Sequence, residues 1–170
     1  MSRQLILLRH AKSSWDSGAK HDFDRPLNKR GQRNALRMGR WLKDKRLVPD
    51  YIVSSPAIRA EMTIHAVVKE LGLSKGLVVY DESLYLGDRT TLLQVLSRYP
   101  ETSHRGLLVG HNPGLEDLLL FLCGDVARLV RDRKIMVTAA IAHLTMPKDW
   151  DDLRRGTCEL VNLVRPKELE

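Results

Sequence analysis

The side chains best suited to chemistry in this chain stand where apolar runs give way to polar residues. Arg9 and His10 directly follow the first apolar run, His111 follows a later one, and Arg59 lies shortly after a third. Two guanidinium groups can hold a phosphoryl group through paired hydrogen bonds. One imidazole can attack phosphorus, and the other can donate to a phosphoryl oxygen. These residue types therefore indicate a site for phosphoryl transfer.

The four side chains come together only if the apolar runs are neighbouring strands of one sheet. The pattern predicts strands at Gln4–Arg9, Tyr51–Ser54, Leu77–Tyr80, Arg105–Gly110, Val137–Met146 and Cys158–Val164. Strands that alternate with helices predict an α/β fold, a three-layer α/β/α sandwich around a mostly parallel sheet. Such sheets bind ligands at the carboxyl edge, where these residues would lie. The last two strands have no helical pattern between them, which allows one to run antiparallel.

Helix-start signals follow three of the predicted strands or the loops after them. Asn28 is predicted to cap a helix that runs to about Lys45, after a long polar loop over His10–Leu27. The pairs Ser55-Pro56 and Asn112-Pro113 are predicted to be cap and first position of two further helices, which end near Leu71 and Cys123. A short helix is predicted at Thr91–Tyr99. Helix N-termini at the sheet edge would add to its attraction for anions.

Bulk properties predict a single domain over residues 1–170, with 43% hydrophobic and 29% charged residues. No signal-peptide pattern or membrane span is recognised, so we expect a cytoplasmic protein without a membrane partner. Cys123 and Cys158 lie in apolar contexts and are predicted to be buried thiols. No metal-type Cys/His spacing occurs, and we expect neither a metal nor another cofactor. The sequence is compatible with a monomer and does not fix the oligomeric state.

The net charge of +7 favours acidic partners such as phosphorylated molecules or nucleic acid. Basic residues are densest between Arg25 and Arg46, at helical spacing. Aromatic residues do not interleave with them, so a single-strand stacking platform is disfavoured and nucleic acid is not the expected partner. A basic module that binds phosphate or nucleic acid without catalysis stays open as an alternative.

Four ordered motifs resemble those of the histidine phosphatase superfamily, and the short length together with Arg-His-Ala-Lys-Ser is similar to its SixA-like phosphohistidine phosphatases. The motifs are Leu8-Arg9-His10-Ala11, Arg25-Pro26-Leu27-Asn28-Lys29-Arg30-Gly31, Ser54-Ser55-Pro56-Ala57-Ile58-Arg59-Ala60-Glu61-Met62-Thr63 and Val109-Gly110-His111-Asn112-Pro113. Two positions depart from the family pattern. Ala11 replaces the usual glycine, and Lys12 stands where the sugar-phosphate mutases often carry an acidic residue. The lysine weakens a mutase interpretation.

The resemblance implies that His10 is the nucleophile and is phosphorylated transiently. Arg9, Arg59 and His111 would hold the phosphoryl oxygens, and Ser13 and Asn112 would add hydrogen bonds. Water would then hydrolyse phospho-His10. The most favoured substrate is phosphohistidine on a protein. A small-molecule phosphomonoesterase or mutase of the same superfamily is the alternative within this class.

The leaving group decides whether a general acid is needed. A phosphate ester leaves as an alkoxide and needs a proton, whereas phosphohistidine leaves as imidazole, with a free pKa of about 6.5. Glu82 follows the third strand, near the position where ester-cleaving relatives keep their acid, and Asp81 is the less favoured alternative. Between Tyr80 and Arg105 the sequence has room for a loop and one short helix only. We therefore expect no large lid and an open site; whether the loop 10–27 closes over substrate stays undecided.

Overall fold

A computed structural model of the chain describes residues 2–124, 126 and 134–170. These residues form six strands, which are β1 (Arg3–Arg9), β2 (Tyr51–Ser54), β3 (Val78–Tyr80), β4 (Arg105–Gly110), β5 (Ile141–Met146) and β6 (Glu159–Val164). They also form four α-helices, which are α1 (Lys29–Asp44), α2 (Ile58–Leu71), α3 (Arg89–Ser97) and α4 (Gly114–Cys123). Short 3₁₀ turns lie at Asp22–Asp24, Lys75–Leu77, Glu82–Leu84 and Pro166–Leu169. No described helix is long and apolar enough to cross a membrane.

The strands form one sheet in the order β3-β2-β4-β1-β5-β6. The pairs β2–β3, β2–β4 and β1–β4 are parallel, whereas β5 is antiparallel to both β1 and β6. The predicted α/β class is confirmed, but the sheet is mixed rather than mostly parallel. An antiparallel pair needs no crossover helix, and the connection between β5 and β6 contains none.

Side-chain alternation along β1 divides the core into two halves. Leu5 and Leu7 pack against the buried faces of α3 and α4, and Ile6 and Leu8 pack against those of α1 and α2. Successive strand residues point to opposite faces of a sheet, so one buried strand serves both helical layers. This is the expected three-layer sandwich. Between β3 and β4 the chain forms only a 3₁₀ turn and α3, so the described structure has no large lid there.

Two of the predicted helix boundaries are confirmed by their caps. The Asn28 side chain accepts a hydrogen bond from the Gly31 N–H at 2.8 Å, and α1 begins at the next residue. Gly72 ends α2 in the left-handed conformation, with φ of 71°, which glycine adopts at little cost.

The prediction that Ser55 and Asn112 cap the following helices is wrong. Helix α2 begins at Ile58, and Ser55 Oγ instead accepts a hydrogen bond from the Ala57 N–H in the turn before it. Helix α4 begins at Gly114, and the Asn112 side chain donates to the Met136 carbonyl rather than capping.

Other boundaries shift by a few residues. Helix α3 spans Arg89–Ser97 because Asp88 caps it through the Thr91 N–H. Strand β5 begins at Ile141, later than predicted, because a turn around Ala139, with φ of 64°, precedes it.

Candidate active site

Three strand ends lie level at one edge of the sheet and bring the predicted residues together. The register pairs Arg9 of β1 with Gly110 of β4, and Ser54 of β2 with Val109. His10 therefore lies one residue past the end of β1, and its backbone N–H still donates to the Gly110 carbonyl at 3.2 Å. The rings of His10 and His111 have centroids 5.0 Å apart. The backbone ladder thus fixes the separation of the two imidazoles.

A cavity of about 210 Å³ opens at this edge. Its lining residues are Arg9, His10, Lys12, Ser13, Trp15, Arg25, Arg59, Leu86, His111, Asn112 and Thr138. Four of these carry a positive charge and none carries a carboxylate. Such a lining suits a compact, multiply charged anion such as a phosphoryl group.

The His10 imidazole is held in the tautomer that leaves Nε2 free to attack. Its Nδ1 lies 2.8 Å from the Ala11 carbonyl oxygen. A carbonyl can only accept, so Nδ1 carries the proton and Nε2 keeps its lone pair. Burial, together with the neighbouring His111, Arg59 and Arg9, lowers the pKa of His10 to about 3. The ring is therefore neutral and nucleophilic at neutral pH.

The His111 imidazole has the opposite arrangement. Its Nε2 lies 2.8 Å from Ser55 Oγ, which already accepts the Ala57 N–H at 3.2 Å. The Ser55 hydroxyl can direct its proton to Nε2, which leaves the proton of the neutral ring on Nδ1. Burial and the Arg59 charge lower the pKa of His111 to about 4, so the ring is neutral at pH 7. His111 thus presents an N–H donor from Nδ1.

Arg59 is oriented by a residue of the long loop. Its Nη1 donates to the Asp22 backbone carbonyl at 2.7 Å, and its Nη2 lies 2.9 Å from Asp22 Oδ2. The same carboxylate accepts from the Tyr85 hydroxyl at 2.6 Å and from Arg25 Nε at 3.0 Å. The Tyr85 hydrogen bond and the two arginines lower the pKa of Asp22 to about 2. The carboxylate is therefore ionised at neutral pH and fixes one edge of the buried guanidinium.

Arg9 is oriented from the opposite side of the cavity. Its Nη1 donates to the Met136 carbonyl at 3.0 Å, and Asn112 Nδ2 donates to the same oxygen at 2.8 Å. Glu116 Oε2 accepts from the Met136 N–H at 3.2 Å and lies near Asn112 Nδ2. Burial lowers the pKa of Arg9, and the charge of Glu116 acts against that shift. The Asn112 amide is thereby fixed with Oδ1 as its uncommitted atom.

Unpartnered buried polar atoms concentrate in this cavity. Within residues 2–124, 126 and 134–170, five buried side-chain nitrogen or oxygen atoms have no hydrogen-bond partner. Four of the five belong to residues that line the cavity: Arg9 Nε, Arg59 Nε, His111 Nδ1 and Asn112 Oδ1. A buried donor without a partner is costly. Three N–H donors of this kind on one small cavity are the arrangement that an oxyanion would satisfy.

Of the remaining predicted site residues, some line the cavity and others do not. Ser13 is buried, bridges to Leu27 and lines the cavity, as does Asn112. Glu82 is exposed at the start of a 3₁₀ turn and is not among the described lining residues. Asp81 caps that turn through Ser83 and lies near Arg98. The acid role of Glu82 stays a prediction, and Asp81 is engaged in holding the turn.

Sequence reasoning missed the roles of Asp22, Tyr85 and Ser55. Asp22 and Tyr85 contact each other across 63 positions of the chain, and no local pattern signals such a pair. Ser55 had a signal, because it ends a buried strand beside a candidate histidine, but the following proline favoured a cap. Among the described residues, no group of three or more His, Cys, Asp or Glu side chains is arranged to hold a metal ion.

Fold and site together define an α/β protein with two neutral histidines and two buried arginines around an oxyanion cavity. The sequence pattern of the histidine phosphatase superfamily (branch 1) matches residues 5–84. An uncharacterised protein of Mycobacterium tuberculosis is 31% identical over 164 residues, which cover 94% of this chain and 100% of that protein. The chain belongs to the histidine phosphatase superfamily.

One relative and two solved structures that carry the name SixA are similar to this chain over nearly its full length. Phosphohistidine phosphatase SixA of Escherichia coli is 29% identical over 158 residues, covering 91% of this chain and 89% of SixA. The crystal structure of SixA from Agrobacterium tumefaciens is 28% identical, with a TM-score of 0.82 over 98% of this chain and 99% of that one. The protein histidine phosphatase SixA complexed with tungstate is 26% identical, with a TM-score of 0.79 over 98% and 99% of the two chains. The superfamily resemblance found in the four motifs is confirmed.

The chain spans only part of one further relative. A chloroplastic protein of Arabidopsis thaliana, also uncharacterised, is 34% identical over 137 residues. These residues cover 76% of this chain and 63% of the Arabidopsis protein.

Proposed function

We propose that this chain is a phosphatase that removes the phosphoryl group from phosphohistidine on a protein, through a transient phosphohistidine at His10. The observation that carries the proposal is the set of unpartnered N–H donors, Arg9 Nε, Arg59 Nε and His111 Nδ1, around one cationic cavity. Beside them, His10 presents an unprotonated Nε2. A nucleophile surrounded by oxyanion donors is what phosphoryl transfer requires.

The first step transfers the phosphoryl group to the enzyme. His10 Nε2 forms a bond to phosphorus while the P–N bond to the substrate imidazole breaks. The substrate ring, protonated from solvent at its other nitrogen, leaves as neutral imidazole, and its departing nitrogen keeps the bonding electron pair. The phosphorylated His10 ring gains positive charge, which the Ala11 carbonyl stabilises through the Nδ1–H at 2.8 Å. Arg9, Arg59 and His111 stabilise the equatorial oxygens as their charge redistributes.

The second step regenerates the enzyme. Water attacks phosphorus and loses a proton to solvent, the P–N bond to His10 breaks, and the ring recovers its lone pair at Nε2. Inorganic phosphate leaves. The same three donors serve both steps because the phosphorus stays in the same cavity while its leaving group changes.

The lining of the cavity supports phosphohistidine over a phosphate ester. None of the described lining residues is a carboxylate, and Glu82 is exposed and not among them. An alkoxide leaving group needs a proton from a positioned acid, whereas imidazole, with a free pKa of about 6.5, leaves far more readily. The similarity to phosphohistidine phosphatase SixA of Escherichia coli supports the same substrate class.

The chain between β3 and β4 supports a protein substrate. Its only regular elements are the turn at Glu82–Leu84 and helix α3, and it reaches the cavity at the edge through Leu86, so the segment forms no lid. An uncovered cavity is accessible to a side chain that is attached to another folded protein. Within the part of the chain that the structure describes, a larger substrate can therefore reach His10 without a lid having to open.

The test compares hydrolysis of a phosphohistidine peptide and of p-nitrophenyl phosphate by the wild-type chain and by Glu82→Gln. We expect kcat/KM to be much larger for the peptide and unchanged in the variant. A loss confined to p-nitrophenyl phosphate would assign Glu82 as an acid for esters and favour a phosphomonoesterase. The absence of turnover on both substrates, together with steeply salt-dependent binding of nucleic acid, would instead favour the non-catalytic module.

A further inference from the structure

The mouth of the cavity carries the two most exposed large hydrophobic side chains of the described chain. The Trp15 side chain is 75% exposed and that of Leu86 is 60% exposed. Both are among the residues that line the cavity, although they come from different loops. Scattered exposed apolar residues are ordinary on a protein surface. Here, however, the two lie together at the opening of one charged cavity.

Trp15 is held by a contact of its side chain, and Leu86 by the backbone of its turn. The Arg25 guanidinium carbon lies 3.7 Å from the centroid of the Trp15 ring, a close cation–π contact. Leu86 has a φ of 56°, a conformation that bulky residues rarely adopt and that the surrounding turn must enforce. The neighbouring Tyr85 and the stacked Arg25 both bind the Asp22 carboxylate. One carboxylate thus ties together the supports of both apolar side chains.

The size of the cavity determines what must lie outside it. A volume of about 210 Å³ accommodates a phosphoryl group and part of an imidazole, below the roughly 300–1,000 Å³ of typical small-molecule pockets. Whatever else belongs to the substrate therefore rests on the mouth. The cationic side chains of the cavity bind the phosphoryl group. The exposed apolar surface at the mouth is therefore available to contact the part of the substrate next to it.

We propose that Trp15 and Leu86 form an apolar rim that binds the polypeptide segment carrying the phosphohistidine, through apolar residues next to it. The proposal rests on the proposed function and deepens it, because it names what the site selects in a protein substrate. Apolar contact at an ordered rim supplies affinity without a large ordering cost. The rim acts on substrate choice, whereas the strand-end residues act on the phosphoryl group.

The test uses two short phosphohistidine peptides that differ only in the flanking residues, leucine in one and glycine in the other. In the wild-type chain we expect kcat/KM to be about 10-fold higher for the leucine peptide, mainly through KM. Trp15→Ala and Leu86→Ala should each bring this ratio close to one. Leu77→Ala is the matched control, because Leu77 is 53% exposed but does not line the cavity. It should leave the ratio at the wild-type value.

A ratio near one in the wild-type chain, or a wild-type ratio in both rim variants, would overturn the proposal. Binding is measured separately in His10→Ala, so that failure of the phosphatase activity does not decide the matter. Trp15 is the exposed tryptophan, whereas Trp41 and Trp150 are 9% and 3% exposed. Emission should therefore shift to the blue when the leucine peptide binds, and not with the glycine peptide. A shift that depends on protein concentration alone would assign the rim to a second copy of the chain and contradict the proposal.

Discussion

The floor and the mouth of the cavity are held by different kinds of contact. On the floor, His10 and Ser55 donate their backbone N–H groups to Gly110 and Val109, so the sheet itself sets their positions. At the mouth, Arg25 and Tyr85 converge on the side chain of Asp22, which is 45% exposed. Backbone ladders in a buried sheet open rarely, whereas side-chain contacts in loops open more readily. The sheet edge thus carries the residues assigned to chemistry, and the loops carry those assigned to substrate choice.

The largest expected effect is that of removing His10, and it tests whether the catalytic residues lie on the floor of the cavity. His10→Ala removes the imidazole nitrogen that would attack phosphorus, so turnover of a phosphohistidine peptide should fall to the background rate. Rapid quench of the wild-type chain followed by mass spectrometry should detect phosphate on His10. Circular dichroism is the control for folding. Substantial turnover in a folded His10→Ala protein would remove His10 as the nucleophile.

Ser55 tests a second kind of residue on the floor, one that does not touch the phosphoryl group and acts through His111. Ser55→Ala removes the hydroxyl that directs the proton of His111 to Nδ1. We expect kcat to fall by about 10- to 100-fold with little change in KM, less than the roughly 100- to 1,000-fold for outright loss of an oxyanion donor, because the His111 ring is still present. Nitrogen chemical shifts of His111 should report protonation at Nδ1 in the wild-type chain and at Nε2 in the variant.

Ser54→Ala is the matched control for Ser55→Ala. Both serines are fully buried at the end of β2, but the Ser54 hydroxyl donates to the Ser55 carbonyl and does not contact His111. Its loss should lower stability by a similar amount and leave the tautomer and kcat near wild type. If both variants lose kcat equally while His111 keeps its tautomer, Ser55 has a structural role only.

The sequence predicted for a physical reason that the floor residues lie together. Arg9, His10 and His111 end apolar runs, and the ends of parallel strands must meet at one edge. The antiparallel β5 was allowed but not fixed by the pattern. The contact between Arg59 and Asp22, by contrast, joins residues that are 37 positions apart in the chain, and it depends on the path of a loop. Hydrophobic periodicity carries no information about such a path, so Asp22 was not recognised.

Substitution of Asp22 tests how much a loop residue at the mouth contributes to the orientation of the catalytic groups. Asp22→Ala removes the carboxylate that orients Arg59, Arg25 and Tyr85. We expect a roughly 10-fold fall in kcat/KM, as for loss of a charge-assisted hydrogen bond that positions a catalytic group. Tyr85→Phe removes one of the donors to the carboxylate but leaves both arginines, and should cost less. Equal losses in the two variants would show that Tyr85, rather than Arg59, is the partner through which Asp22 acts.

The smallest expected effect concerns stability and pH. Burial lowers the pKa of His10 to about 3 and that of His111 to about 4, below the unfolded value of about 6.5. Between about pH 4 and 6.5 the unfolded chain therefore binds protons that the folded chain does not. The free energy of unfolding should fall as the pH is lowered through this range, by up to about 1.4 kcal/mol per pH unit for each histidine.

Urea unfolding of the wild-type chain and His10→Ala at several pH values between 5 and 6.5 measures this slope. The variant has one buried neutral imidazole fewer, so its unfolding free energy should depend less steeply on pH. The ionised Asp22 contributes in the same direction only at lower pH, because its shift from 3.8 to about 2 acts below this range. Parallel slopes in the two proteins would mean that His10 is hydrated in the folded state. The rigid floor would then be open to water, and the contrast with the mouth would lose its basis.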